Sequence, residues 1–147
     1  MREEVIPFFI NDLKDSLKIK VQTTPVCTSF EIPSVIICSK SSIIEKEGNL
    51  YNIKTDTQNQ NYTPDINKLF ESFVVYAEEF DMSVCIMTGI GRDGVDGAKK
   101  LKEKGAKIIA QDEKSSPVFG MPKAAIEDGI VDEIKSIDEL KSCFRGF

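Results

Sequence analysis

The sequence has 147 residues, 41% of them hydrophobic, which suits one compact domain whose core needs neither a metal nor a disulfide. Nineteen Lys and Arg against 24 Asp and Glu give a formal net charge of −5 with no basic block, which argues against binding to nucleic acid or to an anionic membrane surface. There is no histidine. Unaided, these residues cannot assemble a Ser-His-Asp or Cys-His nucleophile system, and they offer no imidazole to a metal.

The four cysteines, Cys27, Cys38, Cys85 and Cys143, include no C-x-x-C pair, so no zinc or dithiol centre is expected. Cys38 and Cys85 lie inside apolar runs and read as small buried hydrophobes of a reducing compartment. No apolar stretch reaches the ~20 residues of a spanning helix, and Met1-Arg2-Glu3-Glu4 does not open a signal peptide. A cytoplasmic protein without metal or cofactor is the expectation.

In chain order, the first signal is a helix from Glu3 to about Leu17, with Ile6, Phe9, Ile10, Leu13 and Leu17 on one face. β-type runs follow at Lys18–Gln22 and Ser34–Cys38. Ile43–Glu45 and Leu50–Ile53 read as a small hairpin around Lys46-Glu47-Gly48-Asn49. The amide-rich stretch Thr55–Asn61 reads as a surface loop. Thr63 then suits an N-cap, Pro64 the first helical position and Asp65 the positive end of the helix dipole. The apolar stripe from Ile66 through Phe73 to Phe80 predicts an amphipathic helix packed on a sheet.

A buried-type strand at Ser83–Met87, a glycine-rich turn, a helix from Gly94 to Lys104 ended by Gly105, and a strand at Lys107–Ala110 make a βαβ unit. Pro122 and Gly129 bracket a short helix, Lys123–Asp128. Ser136 and Glu139 form a capping box opening a last helix to about Phe144. The class is α/β with a mainly parallel sheet.

The turn Gly89-Ile90-Gly91-Arg92-Asp93-Gly94 is a G-x-G-x-x-G between strand and helix, and Asp112 ends the next strand where a ribose-binding acid would stand. Charge weighs against a nucleotide: Asp93 and Asp96 would repel a phosphate, and Arg92 is a weak counterweight. Alternatively Asp93, beyond the carboxyl end of a strand, is itself the functional group, suited to orient a histidine and stabilise its imidazolium. Asp93 is equally suited to be a plain N-cap. Local sequence leaves these two open.

Three further segments carry a resemblance: Thr88-Gly89-Ile90-Gly91-Arg92-Asp93-Gly94, then Ile109-Ala110-Gln111-Asp112-Glu113, then Ser115 through Ile126 with its run Val118-Phe119-Gly120-Met121-Pro122. Together with Tyr62–Phe70 they resemble the C-terminal catalytic domain of the bacterial chemotaxis protein-glutamate methylesterases, the CheB family. The resemblance implies a doubly wound, mainly parallel α/β domain with helices on both faces, one domain over residues 1–147 that is incomplete at its N-terminus and without a receiver domain. It implies a serine hydrolase that demethylates glutamyl methyl esters, and also deamidates glutamines, on the cytoplasmic signalling helices of methyl-accepting chemotaxis receptors.

By the same resemblance Asp93 is the catalytic aspartate, and Ile90, Gly91, Arg92, Phe119 and Met121 are candidates to line the substrate groove. The family's serine and histidine fall upstream of Met1, so this chain alone is expected to be inactive. A non-catalytic receptor-binding or regulatory remnant of the same fold is the rival reading. Ser115 and Ser116 read as loop-forming residues or substrate-groove contacts, Phe119 and Met121 more readily as anchors than as substrate contacts. Ser39-Lys40-Ser41 stands where the family has a Pro-Gly turn.

Overall fold

The computed structural model describes residues 6–16, 20–24, 28–29, 34–56 and 64–144. The fold divides between Ser72 and Phe73 into two compact units. Among the described residues no helix is long and apolar enough to cross a membrane.

In the first unit, helix α1 spans Ile6–Ser16. Ile6, Ile10 and Leu13 are half-buried as the periodicity requires, whereas Phe9 is exposed and falls outside that face; Leu17 lies outside the described residues. Strand β1, Lys20–Thr23, precedes the short β2, Thr28–Ser29, and β3, Ser34–Ile37. β1 and β3 pair in parallel with Val21 opposite Val35. Beyond their ends the Ser39 hydroxyl donates to the Thr24 carbonyl at 2.6 Å, so Ser39-Lys40-Ser41 is tied back to the parallel pair.

The hairpin joins β4, Ser42–Glu47, to β5, Leu50–Thr55, through the two residues Gly48-Asn49, tighter than the four-residue turn expected. β2 pairs antiparallel on the other side of β5. Alternation settles the hairpin's faces. Ile44 opposite Ile53 is buried, while on the polar side Lys54 Nζ contacts Glu45 at 2.6 Å and Glu47 at 3.0 Å. Those two carboxylates push the Lys54 ammonium pKa upward. Thr55 belongs to this strand rather than to a loop, and 57–61 of the expected loop lie outside the described residues.

Helix α2 spans Ile66–Val74, and the boundary between the units falls inside it. Asp65 supplies a cap, its Oδ1 accepting the Lys68 N–H at 3.0 Å; Thr63, the expected N-cap, lies outside the described residues. The Asp65 N–H donates to Ser41 Oγ at 2.8 Å, and Ser72 Oγ accepts the Ile44 N–H at 2.9 Å. None of the α2 side chains is fully buried. Replacing Asp65 by Ala removes the cap and costs about 1 kcal/mol. Faster amide exchange at Lys68, with α1 unaffected, is the expected sign.

The second unit opens with a 3-10 turn, Ala77–Glu79, where a continuous helix to Phe80 was expected. Strand β6 is Ser83–Ile86, helix α3 Val95–Glu103, strand β7 Lys107–Gln111, helix α4 Gly120–Glu127, strand β8 Glu133–Lys135 and helix α5 Ile137–Phe144. The strands run parallel in the order β6-β7-β8, which is the α/β arrangement expected. β7 is buried from Ile108 to Gln111, so both of its faces are covered. Val95, Ala98 and Leu101 of α3 are buried at helical spacing, with Ala125 and Leu140 completing the core.

The capping box forms as expected, with the Ser136 N–H on Glu139 Oε2 at 2.7 Å and the Glu139 N–H on Ser136 Oγ at 3.3 Å. α4 starts three residues before the predicted Lys123, and β8 was not foreseen. Cys38 and Cys85 are half-buried rather than buried and Cys143 is exposed. Burial raises the pKa of the Cys38 and Cys85 thiols, which keeps them protonated and unreactive at neutral pH. Cys27 lies outside the described residues.

Candidate active site

The candidate site is built at the carboxyl end of β6, where a parallel sheet delivers its functional groups. Past Ile86 the backbone keeps pairing, but with a loop instead of a strand. The Gly89 N–H donates to the Val118 carbonyl at 2.9 Å and the Met121 N–H to the Gly89 carbonyl at 2.9 Å, and Gly89 and Phe119 form a parallel bridge. The Thr88 hydroxyl locks the same register, donating to the Val118 carbonyl and accepting its N–H, each at 3.0 Å. These bonds bring together the two groups of predicted site residues, Ile90 to Asp93 and Phe119 to Met121.

Their approach is too close for side chains at the crossing. A Cβ on Gly120 would lie 2.7 Å from the Gly89 carbonyl oxygen, and one on Gly89 would lie 2.4 Å from Met121 Sδ. Met121 therefore rests on the Gly89 backbone as an anchor of the loop.

Gly91 and Gly94 flank Arg92 and Asp93 and themselves take the left-handed backbone that side chains rarely adopt, with φ of 88° and 89°. Gly94 occupies the N-cap of α3, one position after Asp93. Asp93 is half-buried beside it.

Arg92 reaches sideways, to Asp128 at 2.8 Å and Asp96 at 3.6 Å. This guanidinium already serves two carboxylates, and the turn holds no second cation for a pyrophosphate. Ile90 is 86% exposed, with Val118 and Met87 also open to solvent. Exposed apolar side chains thus stand on both the turn and the loop paired with it.

Asp112 is not placed to hold a ribose. Its Oδ1 accepts the Ser115 N–H at 2.9 Å and the Ser115 hydroxyl at 2.5 Å, and these bonds hold its pKa below the usual carboxylate range. Ser115 Oγ also accepts the Ile137 N–H at 3.0 Å, and the Ser116 hydroxyl donates to the Asp112 carbonyl at 2.7 Å. Both serines hold the loop together, the first of the two roles read from the sequence.

A carboxylate whose folded pKa is depressed contributes fully above its unfolded value, about 3.9, and that contribution is lost as pH falls through the lower folded value. Thermal melting should therefore fall between pH 6 and pH 3, and Asp112→Asn should lose less over that interval than the parent.

Sequence reasoning missed Gln111 and Thr88 as parts of the site. Both lie in segments that carry the family resemblance, but no sequence signal assigned either a role. Among the described residues no group of three His, Cys, Asp or Glu could hold a metal ion. An open depression of about 410 Å³ lies elsewhere, in the first unit between α1 and Thr23, Thr24, Ser39 and Lys40; it holds none of the predicted site residues.

The CheB methylesterase family model matches residues 1–144. The chain belongs to the CheB methylesterase family. Protein-glutamate methylesterase/protein-glutamine glutaminase 2 of Rhizobium johnstonii is 40% identical over 103 residues, which are 69% of this chain and 28% of the relative. The corresponding protein 1 of Chromobacterium violaceum is 36% identical over 109 residues, 73% of this chain and 30% of the relative. This CheB-family chain thus spans under a third of the length of these curated relatives.

The solved CheB methylesterase catalytic domain of Thermotoga maritima superposes with a TM-score of 0.80 at 22% identity, covering 92% of this chain and 74% of that one. At that identity the likeness is one of fold. It agrees with the α/β class read from the strands.

Proposed function

We propose that this chain contributes the aspartate, Asp93, and the adjoining substrate groove of a protein-glutamate methylesterase, and that its two units belong to one such domain. The supporting observation is the position of Asp93, half-buried in a glycine-bracketed turn at the carboxyl end of β6. With no histidine among the 147 residues, the imidazole would come from outside this sequence, and by the family resemblance the nucleophilic serine would come with it.

Asp93 would accept the imidazole Nδ1–H, fixing the tautomer that leaves Nε2 free to take the serine proton. The serine oxygen then attacks the ester carbonyl, and methanol leaves with the proton returned by the imidazolium. Water, activated by the same base, cleaves the acyl-serine and releases the glutamate. A glutamine substrate follows the same course with ammonia leaving.

The exposed Ile90 and Val118 suit an apolar face of a receptor's cytoplasmic signalling helix, with Gly91, Phe119 and Met121 forming the groove beneath. Arg92, held by Asp128, would stiffen its edge.

The test is a demethylation assay on methylated receptor. The 147-residue chain should show no turnover above buffer. The protein extended in frame through the codons before Met1 should be active. A folded extended protein without turnover, or preceding codons that lack the serine and histidine, would leave the non-catalytic receptor-binding reading in its place.

A further inference from the structure

We propose that Gln111 is a positioning residue of this site, its buried carboxamide holding the turn that carries Asp93. Gln111 ends β7 and is 2% exposed. Its Oε1 accepts the Thr88 N–H at 3.0 Å, and its Nε2 donates to the Ser115 carbonyl at 2.7 Å, with Ser115 Oγ at 3.2 Å. The amide can lie only one way round. Flipped, it would set N–H against N–H at Thr88 and oxygen against oxygen at Ser115.

Ser115 is a firm base for this bridge, because Asp112 binds both its N–H and its hydroxyl and Ile137 caps the same oxygen. At the other end, Thr88 is the residue whose hydroxyl sets the register with Val118, and Asp93 follows in the same turn. A buried amide paired at both ends fixes a position that an apolar side chain would leave to two orphaned backbone groups. The role in holding the turn is independent of the chemistry. The role in catalysis rests on Asp93 being the triad acid.

Hydrogen exchange on the full chain tests the first role. In Gln111→Met, which keeps nearly the same volume and removes all three bonds, the Thr88 amide should exchange at least about tenfold faster while the Ala98 amide of α3 is unchanged. Unchanged protection at Thr88 in the folded variant overturns the assignment.

Should that variant fail to fold, Gln111→Asn replaces it. It keeps the amide, but one methylene shorter it cannot span Thr88 and Ser115 together. Thr88 exchange should again be faster than in the parent with Ala98 unchanged; parent-like protection at Thr88 overturns the assignment.

The extended, active protein tests the second role. Gln111→Met should lower kcat on the order of 10²-fold with KM unchanged, and should cost less than about twofold in an Asp93→Asn background. Equal losses in both backgrounds make Gln111 structural only. Full activity of Asp93→Asn alone removes the triad reading and with it the catalytic half of the assignment, while the exchange result still decides the structural half.

Discussion

Asp93→Asn, made in the extended protein that turns over methylated receptor, should lower kcat on the order of 10⁴-fold with little change in KM or in melting temperature. An asparagine fills the same space but presents an amide that no longer selects the Nδ1–H tautomer or stabilises the imidazolium. The base then spends its time in the wrong tautomer. Because Asp93 lies on a turn fixed by Gly91 and Gly94 and tethered through Gly89 to Val118 and Met121, the substitution should leave the turn itself in place. Asp96→Asn, two positions beyond the Gly94 cap, is the control: it should change kcat less than about twofold, since that exposed carboxylate lies on the helix and pairs with Arg92 at 3.6 Å.

The second large effect concerns stability. Gly120→Ala drives a methyl group to 2.7 Å from the Gly89 carbonyl oxygen, and backbone cannot step aside as a side chain can. Overpacking of this kind costs about 1–3 kcal/mol, which for a chain of this size lowers the melting temperature by about 3–10 °C. Gly89→Ala should cost less, because the atom it meets is the thioether sulfur of Met121, which can rotate. The pair Gly89→Ala with Met121→Ala should recover part of the loss, whereas Gly120→Ala with Met121→Ala should not. Equal losses for the two glycines would mean that the crossing is looser than the structure has it.

Local chemistry was legible wherever the answer depended on neighbours in sequence. Ser136 and Glu139 satisfy each other's backbone, so the box announced α5. The run Ile108-Ile109-Ala110 announced a strand buried on both faces.

Where the answer depended on partners far along the chain, the sequence was silent. Glu133-Ile134-Lys135 has too few residues to show a period, and it is a strand only because Ile109 to Gln111 pair with it. The helix predicted to Phe80 stops at Val74 because periodicity records which residues face inward, not where the axis breaks; Val74 and Val75 are β-branched and poor helix formers, and Val75 is 76% exposed. Pro122 misplaced the start of α4 for a related reason: any position in the first turn lacks an intrahelical N–H bond, so proline fits the third residue as well as the first.

The site divides in the same way. Glycine spacing around Asp93 marked a turn at a strand end, and the V-F-G-M-P run carried the family resemblance. The Gln111–Thr88 bond could not be read, because it exists only once β6 and β7 lie side by side.

A crystal structure of the extended, active protein would show whether Asp93 serves an imidazole brought from outside these 147 residues. An Asp93 carboxylate oxygen should lie within about 2.6–3.2 Å of the histidine Nδ1, with the turn from Thr88 to Gly94 unchanged. A histidine beyond hydrogen-bond reach of Asp93, or paired instead with Asp96 or Asp112, would contradict it.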